Sequence, residues 1–238
     1  MDSVDRASNS PVVVAIDGPS GSGKSTVSRA VAARLGLSFL DTGAMYRAMT
    51  WWMLANGVDV DDSEAVAIAC AKPVIVSGTD AAGPTITVDG QDVSAPIRGP
   101  EVTAKVSAVA AVPAVRARLV ELQRGCASHT ARGIVAEGRD MGSVVFPDAT
   151  VKVFLTASEQ ARSARRAAEL RAKGLDEATI TAMAADLARR DAADSSRETA
   201  PLARAADAEL VDTSELTLEQ VIGTITALVE ERAGLTAV

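Results

Sequence analysis

Cysteine and histidine are scarce in this chain of 238 residues. Its two cysteines, Cys70 and Cys126, are too few for a disulfide framework, so we expect two reduced, buried thiols. Reduced thiols favour a cytoplasmic location. The single histidine, His129, lies in GCASHTARG, where we expect a solvent-exposed loop position.

Aromatic residues make up only 3% of the sequence, so the core must be built mainly from Ala, Val, Leu and Ile. No apolar run approaches the roughly 18 residues that a membrane span needs. Residues 1–10 are polar and lack the apolar segment of a signal peptide. We therefore expect a soluble protein that contacts no membrane and begins with a disordered tail over residues 1–10.

Basic residues are also fewer than acidic ones. The sequence has 24 Lys and Arg and 31 Asp and Glu, which gives a net charge of −7. Phosphate neutralisation by basic residues supplies most of the affinity for nucleic acid, so this balance argues against a nucleic-acid partner. It leaves room for a local basic pocket that takes a small phosphorylated ligand.

Short apolar runs alternate with amphipathic patterns along most of the chain. The runs that predict buried strands are residues 11–17, 38–41, 133–138, 149–157 and 208–214. The patterns that predict helices are residues 25–36, 43–56, 61–71, 100–128 with a break near Pro113, 158–173, 176–191 and 217–234, the last with Thr217 as N-cap. This alternation predicts an α/β fold with a doubly wound sheet of about five parallel strands, in a single domain over residues 11–238.

Residues 74–93 differ from the rest of the chain. The runs VIVSG and TITVDG alternate apolar and polar residues, and the turn-rich cluster TDAAGP separates them. The pattern predicts a small antiparallel hairpin rather than a parallel strand with a crossover helix. We assign it to a lobe inserted into the domain.

Residues 18–25, GPSGSGKS, match G-x-x-x-x-G-K-[ST] in full, between a predicted strand and a predicted helix. Glycines let successive backbone N–H groups point inward around phosphate oxygens, and the helix adds the positive end of its dipole. Lys24 then reaches the β- and γ-phosphates, and the Ser25 hydroxyl ligates Mg²⁺. The predicted triphosphate site comprises Gly18, Pro19, Ser20, Gly21, Ser22, Gly23, Lys24, Ser25 and Thr26.

The phosphate loop leaves the reaction open, because GTPases, ATPases and small-molecule kinases share it. A GTPase needs an N-K-x-D motif, which is absent, and residues 80–83 match D-x-x-G only inside the predicted hairpin turn. Two polar clusters, residues 41–47 and 137–142, follow strands whose carboxyl ends face the ligand crevice of an open α/β sheet. A third cluster, residues 189–197, carries arginines suited to cover a transferring phosphoryl group.

The sequence resembles the bacterial cytidylate kinases in four stretches: IDGPSGSGKST, LDTGAMYR, IVAEGRDMGSVVFPDA and RRDAADSSRETAPLARAADA. The resemblance covers about residues 12–230. It implies a P-loop three-layer fold with a monophosphate-binding lobe over residues 42–110 and an arginine-rich lid over residues 186–201. It implies transfer of the γ-phosphoryl group of ATP to CMP or dCMP, assisted by Mg²⁺, in pyrimidine nucleotide metabolism. We expect a cytoplasmic monomer.

The resemblance also implies roles for individual residues. The cytosine contacts would be Thr42, Arg116 and Asp140, and the sugar contacts Ser107, Arg190 and Asp194. The acceptor phosphate would be held by Arg47 and Arg139, and the donor phosphates would add Arg162. The catalytic cations would be Lys24, Arg139, Arg190 and Arg197. The complete CMP site would be Asp41, Thr42, Arg47, Ser107, Arg116, Arg139, Asp140, Arg190, Asp194 and Arg197. The metal ligands would be Ser25 and Glu137.

The chemistry of cytosine agrees with these roles. Its exocyclic amine suits a carboxylate such as Asp140, and its ring acceptors suit a guanidinium such as Arg116. Uracil carries an acceptor where cytosine carries the amine, so such a site would reject it.

The acceptor oxygen of a nucleoside monophosphate is already anionic near neutral pH. We therefore expect direct in-line transfer without a covalent enzyme intermediate, driven by positioning and charge neutralisation. Two alternatives stay open. A sugar or shikimate kinase would need a base for a neutral hydroxyl, and no histidine lies near the motifs. A nucleotide-dependent switch or binding module would bind ATP without phosphorylating an acceptor.

Overall fold

The computed structural model of the protein describes residues 11–172 and 202–236, and between them residues 174, 176, 177, 180, 189, 191, 192 and 194–196. The predicted tail over residues 1–10 and much of the predicted lid, including Arg190 and Arg197, lie outside the described residues. The division of the chain into a lobe and a lid stays a prediction.

The described residues form eight strands and seven α-helices. The strands β1 to β8 are Val12–Asp17, Ser38–Asp41, Ile75–Ser77, Ile86–Val88, Gln91–Asp92, Gly133–Gly138, Val151–Thr156 and Glu209–Asp212. The helices α1 to α7 are Lys24–Leu35, Thr42–Ala55, Ser63–Ala69, Pro100–Ala111, Pro113–Ser128, Glu159–Ala172 and Leu218–Ala233. A 3₁₀ turn, Pro96–Arg98, and a π-helical turn, Met141–Val145, complete the elements.

The central sheet is fully parallel, with strand order β2-β6-β1-β7-β8. β1 lies in the middle, and its residues Val14, Ala15 and Ile16 are completely buried, as a strand covered on both faces requires. The register pairs Asp17 with Gly138 and Asp41 with Glu137. The carboxyl ends of three strands therefore meet at one edge, and the predicted α/β fold with five parallel strands is confirmed.

Helices cover both faces of the sheet and give three layers. On one face α1 and α7 contribute Val31, Leu35 and Ile225 to a core shared with β1, β6 and β7. On the other face α2, α4 and α5 pack over the sheet, and their core continues into the small second sheet. Thr217 caps α7 in a reciprocal capping box with Gln220, as its sequence predicts.

The second sheet is antiparallel, with strand order β3-β4-β5. It replaces the predicted two-stranded hairpin with three strands, because Asp89 and Gly90, at φ 51° and 82°, form a tight turn that brings β5 back onto β4. The segment that carries the D-x-x-G match packs against α1, where Arg29 donates to the carbonyls of Ala81 and Ala82. The D-x-x-G match therefore belongs to a turn that packs on α1.

The cysteine prediction is only partly correct. Cys70 and Cys126 are both free, but only Cys70 is buried, whereas Cys126 is half-buried. His129 is exposed, as predicted. No helix in the described part of the chain is both long enough and apolar enough to cross a bilayer.

Gly18 shows how tightly the sheet constrains the start of the phosphate loop. Its φ is 147°, and a Cβ built on it would lie 2.0 Å from the backbone oxygen of Leu155 on β7. Gly18→Ala is expected to lower the free energy of unfolding by about 3 kcal/mol or more, because backbone must move to admit the methyl group. Urea unfolding measures the change. The control is Gly125→Ala, in a helix with open space around the new Cβ. It should raise the free energy of unfolding by about 0.5–1 kcal/mol. Equal stability of the two variants would contradict the prediction.

Candidate active site

A cleft of about 770 Å³ opens at the carboxyl ends of β1, β2 and β6. Phosphate-loop residues line it: Ser20, Gly21, Ser22, Gly23, Lys24, Ser25 and Thr26. Predicted CMP-site residues line it as well: Asp41, Thr42, Arg47, Ser107, Arg116, Arg139, Asp140 and Asp194. So does Glu137, which was predicted as a metal ligand. The fold thus brings together residues more than 150 positions apart. Predicted positions outside the lining are Gly18, Pro19 and Arg162.

The phosphate loop curls back on itself before α1. Gly21 and Gly23 have φ of 75° and 89°, which side chains rarely adopt. The Lys24 ammonium lies inside the loop and donates to the Pro19 carbonyl at 2.7 Å. The Ser22 hydroxyl donates to the same oxygen at 3.0 Å. The loop therefore encloses the Lys24 side chain at the point where the motif places it.

Lys24 and Glu137 form a buried pair of titratable groups. Burial lowers the pKa of Lys24 to about 7, and the charge of Arg139 acts in the same direction. Burial raises the pKa of Glu137 to about 7, with Asp41 adding to the shift, whereas Lys24 and the Ser25 hydroxyl oppose it. Such shifts are typical of functional clefts, where burial and neighbouring charges tune the proton affinity of groups.

Glu137 carries an oxygen suited to a metal or its water. Its Oε1 is buried and has no hydrogen-bond partner within the described part of the chain. Ser25, the motif hydroxyl, lies close enough to influence the Glu137 carboxyl. No cluster of three or more metal-binding side chains occurs among the described residues.

The cleft lining contains a buried ion pair. Arg116 on α5 pairs with Asp140, and both side chains are almost fully buried. The guanidinium also lies over the Tyr46 ring, 5.6 Å from its centre. Thr42, another buried lining residue, donates its hydroxyl hydrogen to the Glu137 carbonyl at 2.6 Å. These residues give the cleft buried polar groups that are held in place by the protein.

Arg139 connects three parts of the site. Its Nε donates to Asp194 Oδ2 at 2.9 Å, and its Nη2 donates to Ser20 Oγ at 2.6 Å. The side chain thus spans from the loop after β6 to the phosphate loop and to the described part of the 189–197 cluster.

Two predicted residues are also engaged with the protein. Asp41 caps α2 by accepting from the Ala44 N–H at 2.8 Å, and it pairs with the exposed Arg98 at 3.2 Å. Arg47 donates to the Thr103 hydroxyl at 2.9 Å. Their polar groups are oriented at the cleft wall before any ligand contacts them.

Arg162 supports the phosphate loop from outside the cleft. It donates to the Ser20 carbonyl at 3.0 Å and pairs with Asp191. Asp191 in turn accepts from the Ser20 N–H at 2.8 Å. The contact of Arg162 with the donor phosphates stays a prediction.

Some lining residues were not predicted from the sequence. They are Tyr46, Arg98, Thr103, Arg165, Arg166, Glu169, Thr213, Leu216 and Leu218. Arg165 and Arg166 continue the one-sided basic pattern of α6, which could have identified them. The Leu216 and Leu218 positions had no signal, because their exposure depends on how the loop before α7 folds.

Comparison with known proteins identifies the family. The family model described as cytidylate kinase matches residues 14–231. The cytidylate kinase of Streptomyces coelicolor is 64% identical over 224 residues, which cover 94% of this chain and 95% of the relative. That of Streptomyces avermitilis is 62% identical over 221 residues, which cover 93% and 94%.

A solved structure, an uncharacterized protein from Eubacterium ventriosum, is 13% identical and aligns with a TM-score of 0.49 over 93% of this chain and 99% of its own. A likeness this weak carries no argument. The family match and the close relatives extend over nearly the whole chain, and the chain belongs to the cytidylate kinase family.

Proposed function

We propose that the protein transfers the γ-phosphoryl group of ATP to CMP or dCMP and releases ADP with the corresponding diphosphate. The observation that carries this assignment is the arrangement of the cleft. A phosphate loop and the buried Arg116–Asp140 pair both line it. A donor triphosphate fits the loop and a nucleotide base fits the ion pair, so the phosphates of the two substrates would share one cleft.

Base recognition follows from the hydrogen-bonding capacity of Thr42 and Asp140. The Thr42 hydroxyl donates its only hydrogen to the Glu137 carbonyl, so toward the cleft it can act only as a hydrogen-bond acceptor. The Asp140 carboxylate is likewise an acceptor. Two acceptors suit the exocyclic amine of cytosine, whereas the uracil carbonyl at the same place would face two oxygens.

The phosphate groups are assigned to cations around the middle of the cleft. Lys24 would contact the donor phosphates, and Arg47 and Arg139 would hold the acceptor phosphate. Arg190 and Arg197 retain their proposed role as cations between the two phosphate chains, and Arg162 its proposed role toward the donor. Ser107 and Asp194 are assigned to the sugar hydroxyls.

The residues present fit Mg²⁺. The Ser25 hydroxyl and the unpartnered Glu137 oxygen would hold the ion or its water. A bound Mg²⁺ neutralises charge on the donor phosphates. The protein itself aligns the two anions, excludes water and supplies cations before the transfer begins.

The alternatives have less support. A sugar or shikimate kinase must activate a neutral hydroxyl, whereas a CMP phosphate requires no strong base. Asp140 is paired with Arg116 and so suits recognition better than proton abstraction, and the family match favours a cytidine nucleotide as acceptor. A switch or binding module would need no acceptor site.

A coupled assay of ADP release tests the proposal. CMP, dCMP, UMP, AMP and shikimate are supplied in turn with ATP and Mg²⁺. We expect turnover with CMP or dCMP at a kcat/KM well above that of every other acceptor. Preference for another acceptor, or ATP binding without acceptor-dependent ADP release, would overturn the assignment.

A further inference from the structure

Asp17, the last residue of β1, is a buried carboxylate that the roles above do not use. It is 4% exposed, and it does not line the cleft within the described part of the chain. Its two oxygens accept from consecutive backbone N–H groups, Met141 at 2.7 Å and Gly142 at 2.8 Å. Both carboxylate oxygens are therefore directed at a single short segment.

That segment follows directly after Arg139 and Asp140. It opens the π-helical turn Met141–Val145, in which the Val144 and Val145 N–H groups donate back to the Asp140 carbonyl. The first N–H groups of a helical turn have no acceptor within the turn, so Asp17 supplies one for each. The backbone is thereby fixed immediately beside the two side chains assigned to the acceptor nucleotide.

The surrounding packing leaves the segment little room to shift. A Cβ on Gly138 would lie 2.8 Å from Thr42 Oγ1, and one on Gly142 would lie 3.2 Å from the Lys152 side chain and 3.5 Å from Asp17 Oδ2. The end of β6 thus packs closely against Thr42, and the turn that follows it packs against Lys152 and Asp17. Displacement of this backbone would move Asp140 relative to Thr42.

A carboxylate at this depth is costly for the fold. Burial raises the pKa of Asp17 to about 6, although the Gly142 and Met141 N–H groups and Lys24 oppose the shift. Natural proteins retain such groups where function benefits from a precise arrangement.

We propose that Asp17 is a positioning residue for the acceptor site, which holds the backbone of residues 141–142 so that Arg139 and Asp140 meet the CMP phosphate and base correctly. The proposal rests on the proposed function. It predicts a defect confined to the acceptor nucleotide, even though Asp17 adjoins the phosphate loop in sequence.

Asp17→Asn tests it, because the amide keeps the size but places an NH₂ group opposite one of the two N–H donors. We expect KM for CMP to rise at least about 10-fold and KM for ATP to change less than about 2-fold. We also expect the ratio of kcat/KM for CMP over UMP to fall at least about 10-fold. Isothermal titration with CMP should show the same loss of affinity.

Two controls separate positioning from general stability. Asp62→Asn alters an exposed carboxylate that also accepts two consecutive N–H groups, from Glu64 and Ala65, but at the start of α3. It should leave both KM values unchanged. Ile225→Ala creates a cavity in the core under α7 and should lower stability without changing the CMP to UMP ratio.

Asp17→Ala provides a second variant if Asp17→Asn fails to fold, because it removes both acceptor oxygens without placing a donor against the Met141 and Gly142 N–H groups. It should produce the same rise in KM for CMP. An unchanged KM for CMP, or equal losses toward CMP, UMP and ATP, would refute the positioning role. A wild-type protein that does not phosphorylate CMP would instead refute the proposed function, so the two failures are distinguishable.

Discussion

Replacing Lys24 by methionine is expected to lower kcat about 1,000-fold, as loss of a preorganised cation at transferring phosphates does elsewhere. Lys24 is the cation enclosed by the phosphate loop, 2.7 Å from the Pro19 carbonyl. Methionine keeps the length of the side chain but removes its charge, so the loop can close around the donor while the developing charge stays unbalanced.

The burial of Lys24 makes the expectation sharper. Burial lowers the pKa of this ammonium to about 7, because desolvation disfavours the charged form. Phosphate anions bound beside it would favour the protonated form and so reverse that effect. The ammonium would then interact most strongly in a cleft that contains phosphates, as a catalytic rather than a structural role requires.

Steady-state kinetics with varied ATP and CMP measure the effect, and circular dichroism checks folding. Lys72→Met is the matched control, because Lys72 is exposed and lies outside the cleft lining. It should retain wild-type kcat. A Lys24→Met protein with kcat within about 10-fold of wild type would remove the ammonium from the proposed mechanism.

The central sheet could be predicted because its information is local. Each strand is a short apolar run bounded by turn signals, and the phosphate loop joins β1 to α1 within a few residues. β5 was not predicted, because Gln91–Asp92 are both exposed and have no apolar alternation. Its position depends on the turn at Asp89 and Gly90, whose backbone places it against β4.

The candidate site could be predicted as a set of strand-end clusters, but its internal pairing could not. Arg116 and Asp140 come from α5 and from the loop after β6, and no sequence pattern links positions 24 residues apart on different elements. The same holds for Arg139 and Asp194. Pairing of this kind is fixed by tertiary packing, so it follows from the fold and not from residue spacing.

For Asp17, the sequence shows the residue but not its contacts. Its position after an apolar run and directly before the glycine loop was visible in the sequence. A strand-end aspartate is most often a solvated turn residue, so that position alone did not distinguish it. Only the register of β1 with β6, which brings Asp17 beside Gly138, shows which N–H groups it contacts.

Asp140→Asn is expected to lower kcat/KM for CMP about 1,000-fold and to reduce the preference for CMP over UMP by a similar factor. The substitution keeps the shape of the side chain but replaces an acceptor by an NH₂ group. That group would face the cytosine amine donor to donor, whereas it would complement the uracil carbonyl. Specificity should therefore weaken from both directions, through a poorer cytosine contact and a better uracil contact.

The same change removes the counter-ion of a buried guanidinium. Arg116 is almost fully buried, so its loss of a charged partner should lower the free energy of unfolding by about 3–5 kcal/mol. Urea unfolding of the variant measures that loss of stability, and kinetics at urea concentrations below the unfolding range measure specificity separately.

Asp61→Asn is the matched control, because it removes the carboxylate of an exposed pair with Lys105. In this control the free energy of unfolding should fall by less than about 1 kcal/mol, and kcat/KM should not change for CMP or for UMP. If Asp140→Asn kept the wild-type preference for CMP over UMP, base recognition would have to lie elsewhere in the cleft, since a specificity built on a fixed acceptor cannot survive its conversion to a donor.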